Sequence, residues 1–215
     1  MNKIMQSALI ATTLMSQASA GNWNSGLRIS TLGIAGEVGY HFNETFGLRL
    51  QGTWWEHFRK TMSFDGVKYH DVRFRPVTVT LYADWYFYTN WWRLSIGGGY
   101  NATKIRLNRD FSNDPNPLRQ ALGYTHGRYR YKNPISYYVG TGFDFRKLGG
   151  SNWTLTMDAG VYFMSKVSAK VTANGPAQAS EEAMRKLRHG AEELLNDKKF
   201  LRTYPAISIG FKYEF

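Results

Sequence analysis

The chain has 215 residues, no cysteine and a formal net charge of +11 at pH 7, and 16% of its residues are aromatic. This length suits one domain or two small ones. Without cysteine the chain forms no disulfide and performs no thiolate chemistry. After residue 20 no segment approaches eighteen uncharged apolar residues, which excludes a bundle of membrane-spanning helices.

Residues 1–20 have the pattern of a secretory signal peptide. Lys3 lies near the start, an apolar stretch follows, and the segment ends in the small-residue sequence Ala-Ser-Ala. The apolar stretch is too short to cross a bilayer as a helix, and a buried N-terminal helix is the alternative. We therefore expect cleavage before Gly21, export from the cytoplasm and a single domain over residues 21–215.

The next segment, residues 22–42, alternates apolar and polar residues with the period of two that is typical of β-strands. Its apolar residues occupy odd positions before the sequence STLG, Ser30 to Gly33, and even positions after it. A shift of one residue exchanges the two faces of a strand. A tight turn at Ser30–Gly33 therefore divides this segment into two strands.

Six further alternating segments follow, which brings the predicted number of strands to eight. They cover residues 46–58, 77–87, 92–103, 135–146, 153–163 and 205–215. The sequences NETF, YTNW and LGGSN predict short turns, whereas longer loops are expected around FDGVK, at 107–127 and at 173–199. The apolar phase also changes at Pro76, and because proline cannot donate to a strand ladder we expect a β-bulge there.

The polar positions of these strands carry too many charges for a dry core, and several runs are longer than the usual strand of about five or six residues. A closed transmembrane barrel explains both features, because its apolar face meets lipid and its charged face lines the interior. The sequence thus predicts an all-β fold, a closed eight-stranded antiparallel up-and-down transmembrane β-barrel. Lys212 and Glu214 fall on the polar face, and the predicted interior charges are Glu37, Arg49, Asp84, Arg93, Asp144, Arg146 and Asp158.

Aromatic residues form two groups along the predicted strands, as expected at the two interfaces of a membrane. The group near the short turns comprises Phe42, Phe46, Trp85, Phe87, Trp91, Trp92, Phe145, Trp153, Tyr213 and Phe215. The group toward the long loops comprises Trp54, Phe58, Tyr100, Tyr129, Tyr131 and Phe163. Core aromatic residues of a soluble β-protein are the alternative interpretation.

Basic residues concentrate at the strand ends next to the long loops. They include Lys104 and Lys170 and, as the predicted contact set, Arg59, Lys60, Arg73, Arg75, Arg106, Arg128, Arg130 and Lys132. Such groups bind phosphate through charge-assisted hydrogen bonds. We expect this collar to contact lipopolysaccharide phosphates, although a solvated rim explains the pattern equally well. Export and the alternating apolar residues argue against nucleic acid as a partner.

Residues 180–199 break the period of two and predict a short amphipathic helix in the last long loop. Ser180 can cap the helix, and Glu181 and Glu182 suit its N-terminus. The apolar stripe comprises Ala183, Leu187, Ala191, Leu194 and Leu195. The pattern does not show which way this stripe faces.

The cleavable signal, the eight alternating segments and the terminal sequence GFKYEF resemble the small outer-membrane β-barrel proteins of Gram-negative bacteria. The stretch GEVGYHFNETFGLRLQGTWW is similar to a strand–turn–strand unit of the OmpA-type membrane domain and of opacity-like surface antigens. This resemblance covers the whole processed chain. It implies an outer-membrane location and a C-terminal signal, here Phe211, Tyr213 and Phe215, that the barrel assembly machinery recognises.

Nothing in the sequence has the pattern of a catalytic site. None of the five histidines lies in an H-x-S or H-E-x-x-H context, and the interior carboxylates alternate with arginines, as in a salt-bridged lumen. We predict no catalytic residue, no cofactor and no metal site, and a structural or surface-interaction role. A narrow pore for small solutes is the alternative, a lipid A-modifying enzyme is less favoured, and an envelope protein partner stays open.

Overall fold

The computed structural model describes residues 22–55, 58–64, 67–87, 91–111, 120–121, 123–146, 150–175, 181–197 and 202–215. The predicted signal peptide lies outside the described residues. The strands are β1 (Trp23–Ser30), β2 (Gly33–His41), β3 (Phe46–Trp54), β4 (Phe58–Phe64), β5 (Val67–Arg75), β6 (Val77–Phe87), β7 (Trp92–Asn101), β8 (Lys104–Asp110), β9 (Tyr124–Tyr131), β10 (Ile135–Phe145), β11 (Trp153–Phe163), β12 (Val167–Ala173) and β13 (Thr203–Glu214). The helix α1 spans Glu181–Asn196.

Eight strands form a closed antiparallel barrel in the order β1-β13-β11-β10-β7-β6-β3-β2. Strand β1 pairs with both β13 and β2, so the sheet has no free edge. The predicted eight-stranded barrel is therefore confirmed. The turn between β1 and β2 is also confirmed: Ser30 pairs with Gly33, two residues lie between them, and Gly33 has a φ of 125°.

We call the end of the barrel that holds the β2–β3 turn and Phe215 the lower end, and the opposite end the upper end. The backbone N–H of Phe215 donates to the carbonyl of Trp23, at a distance of 3.0 Å. The first and last barrel strands therefore have their outer termini at the lower end, as expected for an even number of antiparallel strands.

A second, five-stranded antiparallel sheet lies above the upper end, in the order β12-β9-β8-β5-β4. Its strands prolong β11, β10, β7, β6 and β3, and they keep the same neighbours as those barrel strands. The sequence did not predict this sheet. Strands β8 and β9 extend into the expected loop at 107–127, so that part of the prediction is wrong.

The predicted bulge at Pro76 is also wrong. Arg75 is exposed, Pro76 is buried and Thr78 is buried, so the alternation of faces continues from β5 into β6. The register shifts of β5 and β4 lie elsewhere, between His70 and Arg73 and between Lys60 and Met62. The apolar residues change from even to odd positions at Pro76 because the apolar face of the strand is the inner one above the barrel and the outer one in the barrel. The backbone register does not change there.

The predicted helix in the last long loop is confirmed, and it lies along the edge of β12 that β9 does not cover. Asn196 accepts a hydrogen bond from the N–H of Val167 through Oδ1 at 2.8 Å and donates to the carbonyl of Val167 through Nδ2 at 3.1 Å. One turn earlier, Glu192 Oε1 accepts from the N–H of Ala169 at 2.8 Å.

This contact works because four residues of helix rise about 6 Å and two residues of strand rise about 6.6–7 Å. The helix side chains therefore replace a neighbouring strand at the edge of the sheet. No helix among the described residues has both the length and the apolar character needed to cross a membrane.

Candidate functional site: the barrel interior and the exposed basic face

The outside of the barrel is covered by large apolar side chains. Leu27 is 67% exposed, and Ile96 and Ile207 are each 63% exposed. Others on this surface are Ile29, Leu50, Val79, Leu81, Val139, Met157 and Phe211. An apolar surface that encircles a whole barrel is far larger than the patches that soluble monomers tolerate.

Aromatic residues form a group of contacting rings at the lower end. Phe46 stacks on Trp85 at 6.2 Å, and Trp153 meets Tyr213 edge to face at 5.3 Å. Among the other residues predicted for this end, Phe42, Trp91 and Phe145 are exposed. At the upper end Trp54, Tyr100 and Phe163 are exposed as well.

Two residues predicted for the upper group lie elsewhere. Tyr129 is 7% exposed and Tyr131 packs beside it, both against Val167 and Ala169 in the core of the second sheet. These rings stabilise the second sheet and do not belong to the aromatic group of the barrel surface. The side chain of Phe58 lies outside the described residues.

The interior of the barrel is filled by ion pairs, and Arg28 lies near their centre. Its Nη2 donates to Glu37 Oε1 at 2.9 Å, and its Nη1 contacts Asp158. Arg49 binds Asp84 through Nε at 3.0 Å and Glu37 through Nη1 at 3.3 Å. Each of these arginines thus bridges two carboxylates from different strands.

Arg93 and Lys212 extend the network toward the lower end. Arg93 pairs with Asp144 through Nη1 and with Asp158 through Nη2, the latter at 2.5 Å. Lys212 Nζ lies 2.8 Å from Asp144 Oδ2. Thr156 donates to Asp144 at 2.8 Å, so the oxygens of this buried carboxylate are well supplied with donors.

The charges of this network cancel. Its cations are Arg28, Arg49, Arg93 and Lys212, and its anions are Glu37, Asp84, Asp144 and Asp158. All eight residues are at most 8% exposed. Buried charges are tolerated when they are paired and hydrogen-bonded, and these eight meet both conditions.

Six of the seven predicted interior charges are members of this network. The seventh, Arg146, lies at the lower end with 26% of its side chain exposed, 3.8 Å from Glu214 and 5.1 Å above the ring of Tyr86. The sequence prediction omitted Arg28. Arg28 lies between Leu27 and Ile29, whose side chains face outward, so the alternation predicts that the side chain of Arg28 faces the interior.

A layer of tyrosines lies above the ion pairs in the interior. The hydroxyl groups of Tyr82 and Tyr162 are hydrogen-bonded, and the ring of Tyr138 lies 5.1 Å from Tyr82 and 4.9 Å from Tyr162. Leu32, from the β1–β2 turn, packs on this layer and is 4% exposed. Gly160 leaves room for the ring of Tyr138, since a Cβ at position 160 would lie 2.5 Å from Cζ of Tyr138.

Two small cavities lie among the described residues of the interior. The upper one has a volume of about 20 Å³ and is lined by Tyr82, Tyr138 and Asp158, among others. The lower one, of about 10 Å³, is lined by Arg93 and Lys212, among others. Each has room for about one water molecule. Arg49 is among the residues that line both cavities.

The exposed face of the second sheet carries basic residues in two cross-strand rows. The lower row consists of Arg75, Lys104 and Arg130, paired in that order across β5, β8 and β9. The upper row consists of Arg59, Arg73, Arg106, Arg128 and Lys170, paired across β4, β5, β8, β9 and β12. The side chains of Arg59 and Arg73 lie outside the described residues.

Two residues of the predicted collar are not in these rows. Lys60 pairs with Val72 and so occupies the other face of the sheet, and its side chain is not described. Lys132 follows β9, is exposed, and lies 3.8 Å from Glu192. The six described side chains of the two rows are exposed, and none has a carboxylate partner among the described residues.

Groups for catalysis or metal binding are sparse in the described part of the chain. His126 is exposed and lies 3.1 Å from Asn108, His189 is exposed on α1, and His41 contacts the ring of Tyr86 in the lower interior. The described residues include no group of three or more acidic or histidine side chains that could hold a metal ion.

The fold and the interior define a closed eight-stranded β-barrel that is apolar outside and ion-paired inside. Two solved structures are similar to it. The crystal structure of Acinetobacter baumannii CarO is 22% identical with a TM-score of 0.59, and the match covers 89% of this chain and 97% of that one. The crystal structure of Acinetobacter baumannii CarO2 is 18% identical with a TM-score of 0.57, and the match covers 92% of this chain and 100% of that one.

At these identities the likeness establishes the fold. No family model matches the chain. A search of curated proteins found no significant match either. Any statement of function therefore depends on the geometry of the barrel and of the second sheet.

Proposed function

We propose that the chain is an integral protein of the bacterial outer membrane, exported by cleavage of residues 1–20 and inserted by the barrel assembly machinery. The observation that carries this proposal is the reversed distribution of side chains, since Leu27 and Ile96 are exposed while Arg28 and Arg93 are buried. Lipid favours this distribution because it solvates apolar groups and offers no hydrogen bonds.

Fractionation of cells tests the location. The chain should sediment with outer-membrane vesicles and remain there after washing with carbonate and urea. Recovery of the processed chain as a soluble periplasmic protein would refute the proposal. Removal of Phe215 should lower the yield of assembled barrel, because Phe211, Tyr213 and Phe215 form the proposed assembly signal; Phe211 is 53% exposed on the outside of the last strand.

We further propose a structural or surface-interaction role without conduction. Eight strands enclose an interior that side chains can fill, and here the neutral ion-pair network and the tyrosine layer fill it. The two cavities favour the alternative of a narrow pore, but each has room for only about one water molecule, and the side chain of Arg49 lines both.

Single-channel recording in planar bilayers separates these two functions. The wild-type chain should give no unitary conductance steps, whereas Arg49→Ala, which truncates the side chain that lines both cavities, should give brief and small steps. Lys186→Ala, on the exposed surface of α1, is the matched control. Regular steps from the wild-type chain, with the selectivity of a defined pore, would favour the channel function.

The exposed basic residues are proposed to contact the phosphates of lipopolysaccharide. Arg128 and Arg130 are exposed on β9, and Lys132 follows them. Neutralising all three should reduce the lipopolysaccharide that co-purifies with the barrel, and unchanged co-purification would count against the contact. The chain is proposed not to be an enzyme, so it should neither deacylate lipid A nor transfer a palmitoyl group to it.

A further inference from the structure

The two basic rows lie on the same side of the sheet as the apolar surface of the barrel. On β7 and β8, Tyr100, Lys104 and Arg106 are exposed, whereas Asn101 and Thr103 between them are buried. On β6 and β5, Val79 and Arg75 have the same parity and are both exposed. The rows therefore prolong the membrane-facing surface upward, away from the lumen axis.

Position along the strands places the two rows at different heights. Lys104 follows Tyr100, the uppermost exposed ring of β7, by four residues, and Arg106 follows it by six. At about 3.3 Å per residue and a strand tilt of about 40°, these positions lie about 10 and about 15 Å above Tyr100. The polar layer of a bilayer leaflet is only about 5–8 Å thick.

The lower row can reach phosphates at the membrane surface, because Lys and Arg side chains are long. The upper row is centred beyond that layer, where lipid headgroups end and the sugar core of lipopolysaccharide begins. Neighbouring strands are about 4.8 Å apart, so both rows present positive groups at a close and regular spacing. Like charges directly opposite one another destabilise a sheet unless a bound anion compensates them.

We propose that the upper row binds the phosphorylated inner-core sugars of lipopolysaccharide, while the lower row binds the phosphates of lipid A. The second sheet is thus a recognition surface with two levels. This inference rests on the proposed contact with lipopolysaccharide and adds the part of the ligand that each row recognises. Arginine predominates in both rows, as expected for phosphate binding through paired hydrogen bonds.

Three variants of the chain test this assignment, each losing three positive charges. The lower-row variant carries Arg75→Gln, Lys104→Gln and Arg130→Gln. The upper-row variant carries Arg106→Gln, Arg128→Gln and Lys170→Gln. The control variant carries Arg185→Gln, Lys186→Gln and Arg188→Gln on the exposed face of α1. Because like charges are removed, the row substitutions should not unfold the sheet, and heat-dependent mobility in detergent gels verifies the barrel of each variant.

Binding of the purified full chain is measured against three probes: lipopolysaccharide with a phosphorylated inner core, the same lipopolysaccharide after removal of its core phosphates, and lipid A. The upper-row variant should bind the phosphorylated core at least tenfold more weakly and bind lipid A as the wild type does. Removal of the core phosphates should weaken the wild type by the same factor. The lower-row variant should lose affinity for all three probes.

Other results would overturn the assignment. An upper-row variant with wild-type affinity for the phosphorylated core, or an equal loss in the control variant, refutes recognition by the upper row. If the lower-row variant alone loses affinity, the contact with lipopolysaccharide stands and the two-level assignment fails. If the wild type binds none of the three probes, the proposed contact itself fails.

Discussion

Replacement of Arg93 by methionine tests whether the interior ion pairs hold the barrel together. Arg93 is 1% exposed and contacts Asp144, Asp158 at 2.5 Å and Thr156 at 3.2 Å. Methionine keeps most of the volume and removes all of these hydrogen bonds. The interior then holds four carboxylates and three cations, so one buried negative charge is no longer balanced.

The expected loss of stability depends on the partners that Asp144 and Asp158 keep in the variant. Asp144 keeps Lys212 at 2.8 Å, and Asp158 keeps Arg28, so neither carboxylate loses every partner. Removing one member of a buried ion pair costs about 3–5 kcal/mol. We expect Arg93→Met to lower the free energy of unfolding by that amount, as measured by urea titration in detergent micelles with tryptophan fluorescence.

Two further variants make the measurement specific. Adding Asp144→Asn restores equal numbers of opposite charges, so the double variant should be more stable than the sum of the two single effects by about 1–3 kcal/mol. Lys186→Met removes an exposed pair with Glu182, 2.9 Å long, and should change the free energy by less than about 0.5 kcal/mol. A cost below about 1 kcal/mol for Arg93→Met, or strict additivity in the double variant, would refute the reasoning.

Three other predictions concern the second sheet and the barrel wall. Asn196→Ala removes two hydrogen bonds to Val167 and should accelerate amide exchange there, since each bond contributes about 0.5–1.5 kcal/mol; unchanged exchange would contradict the edge contact. The hydrogen bond from the Ala169 N–H lowers the pKa of Glu192, so this contact is fully present at pH values above the ordinary pKa of glutamate. The contact should weaken, and amide exchange at Ala169 should become less protected, as the pH falls through the lowered pKa of Glu192. The variant Glu192→Gln should show no such loss of protection. Gly99→Ala should destabilise the barrel by about 1–3 kcal/mol in urea titration, because its Cβ would collide with the backbone carbonyl of Val79 and lie 2.8 Å from Cα of Thr80. Gly98→Ala, whose Cβ meets open space, should be neutral.

The barrel could be predicted from the sequence because apolar residues alternate with charged or polar residues, and the two sets lie on opposite faces of each strand. Leu27, Arg28 and Ile29 show this within three positions, and the phase change at Ser30–Gly33 located a two-residue turn. The helix was found because its period of 3.6 differs from that of its surroundings. Its placement was not predictable, since the side chains of Glu192 and Asn196 bind backbone that is distant in sequence.

The second sheet was missed because its residues were interpreted as the ends of the barrel strands and the long loops that follow them. The sequence RYRY, residues 128–131, alternates as strictly as any barrel strand, but its outward residues are basic and its inward residues are aromatic. The same reversal produced the incorrect bulge at Pro76 and placed Tyr129 in the surface aromatic group. Alternation predicts a strand, but the solvent on each side decides which residues face outward.

The neutral interior network and the two exposed rows respond in opposite ways to ionic strength. Mobile ions screen exposed charges over about 8 Å at physiological salt, but they screen buried ion pairs much less. Added salt therefore has little effect on the interior ion pairs, whereas it weakens the repulsion between the two exposed rows and their attraction for any anion. One molecule thus combines a barrel interior that responds little to salt with an exposed sheet that responds strongly to it.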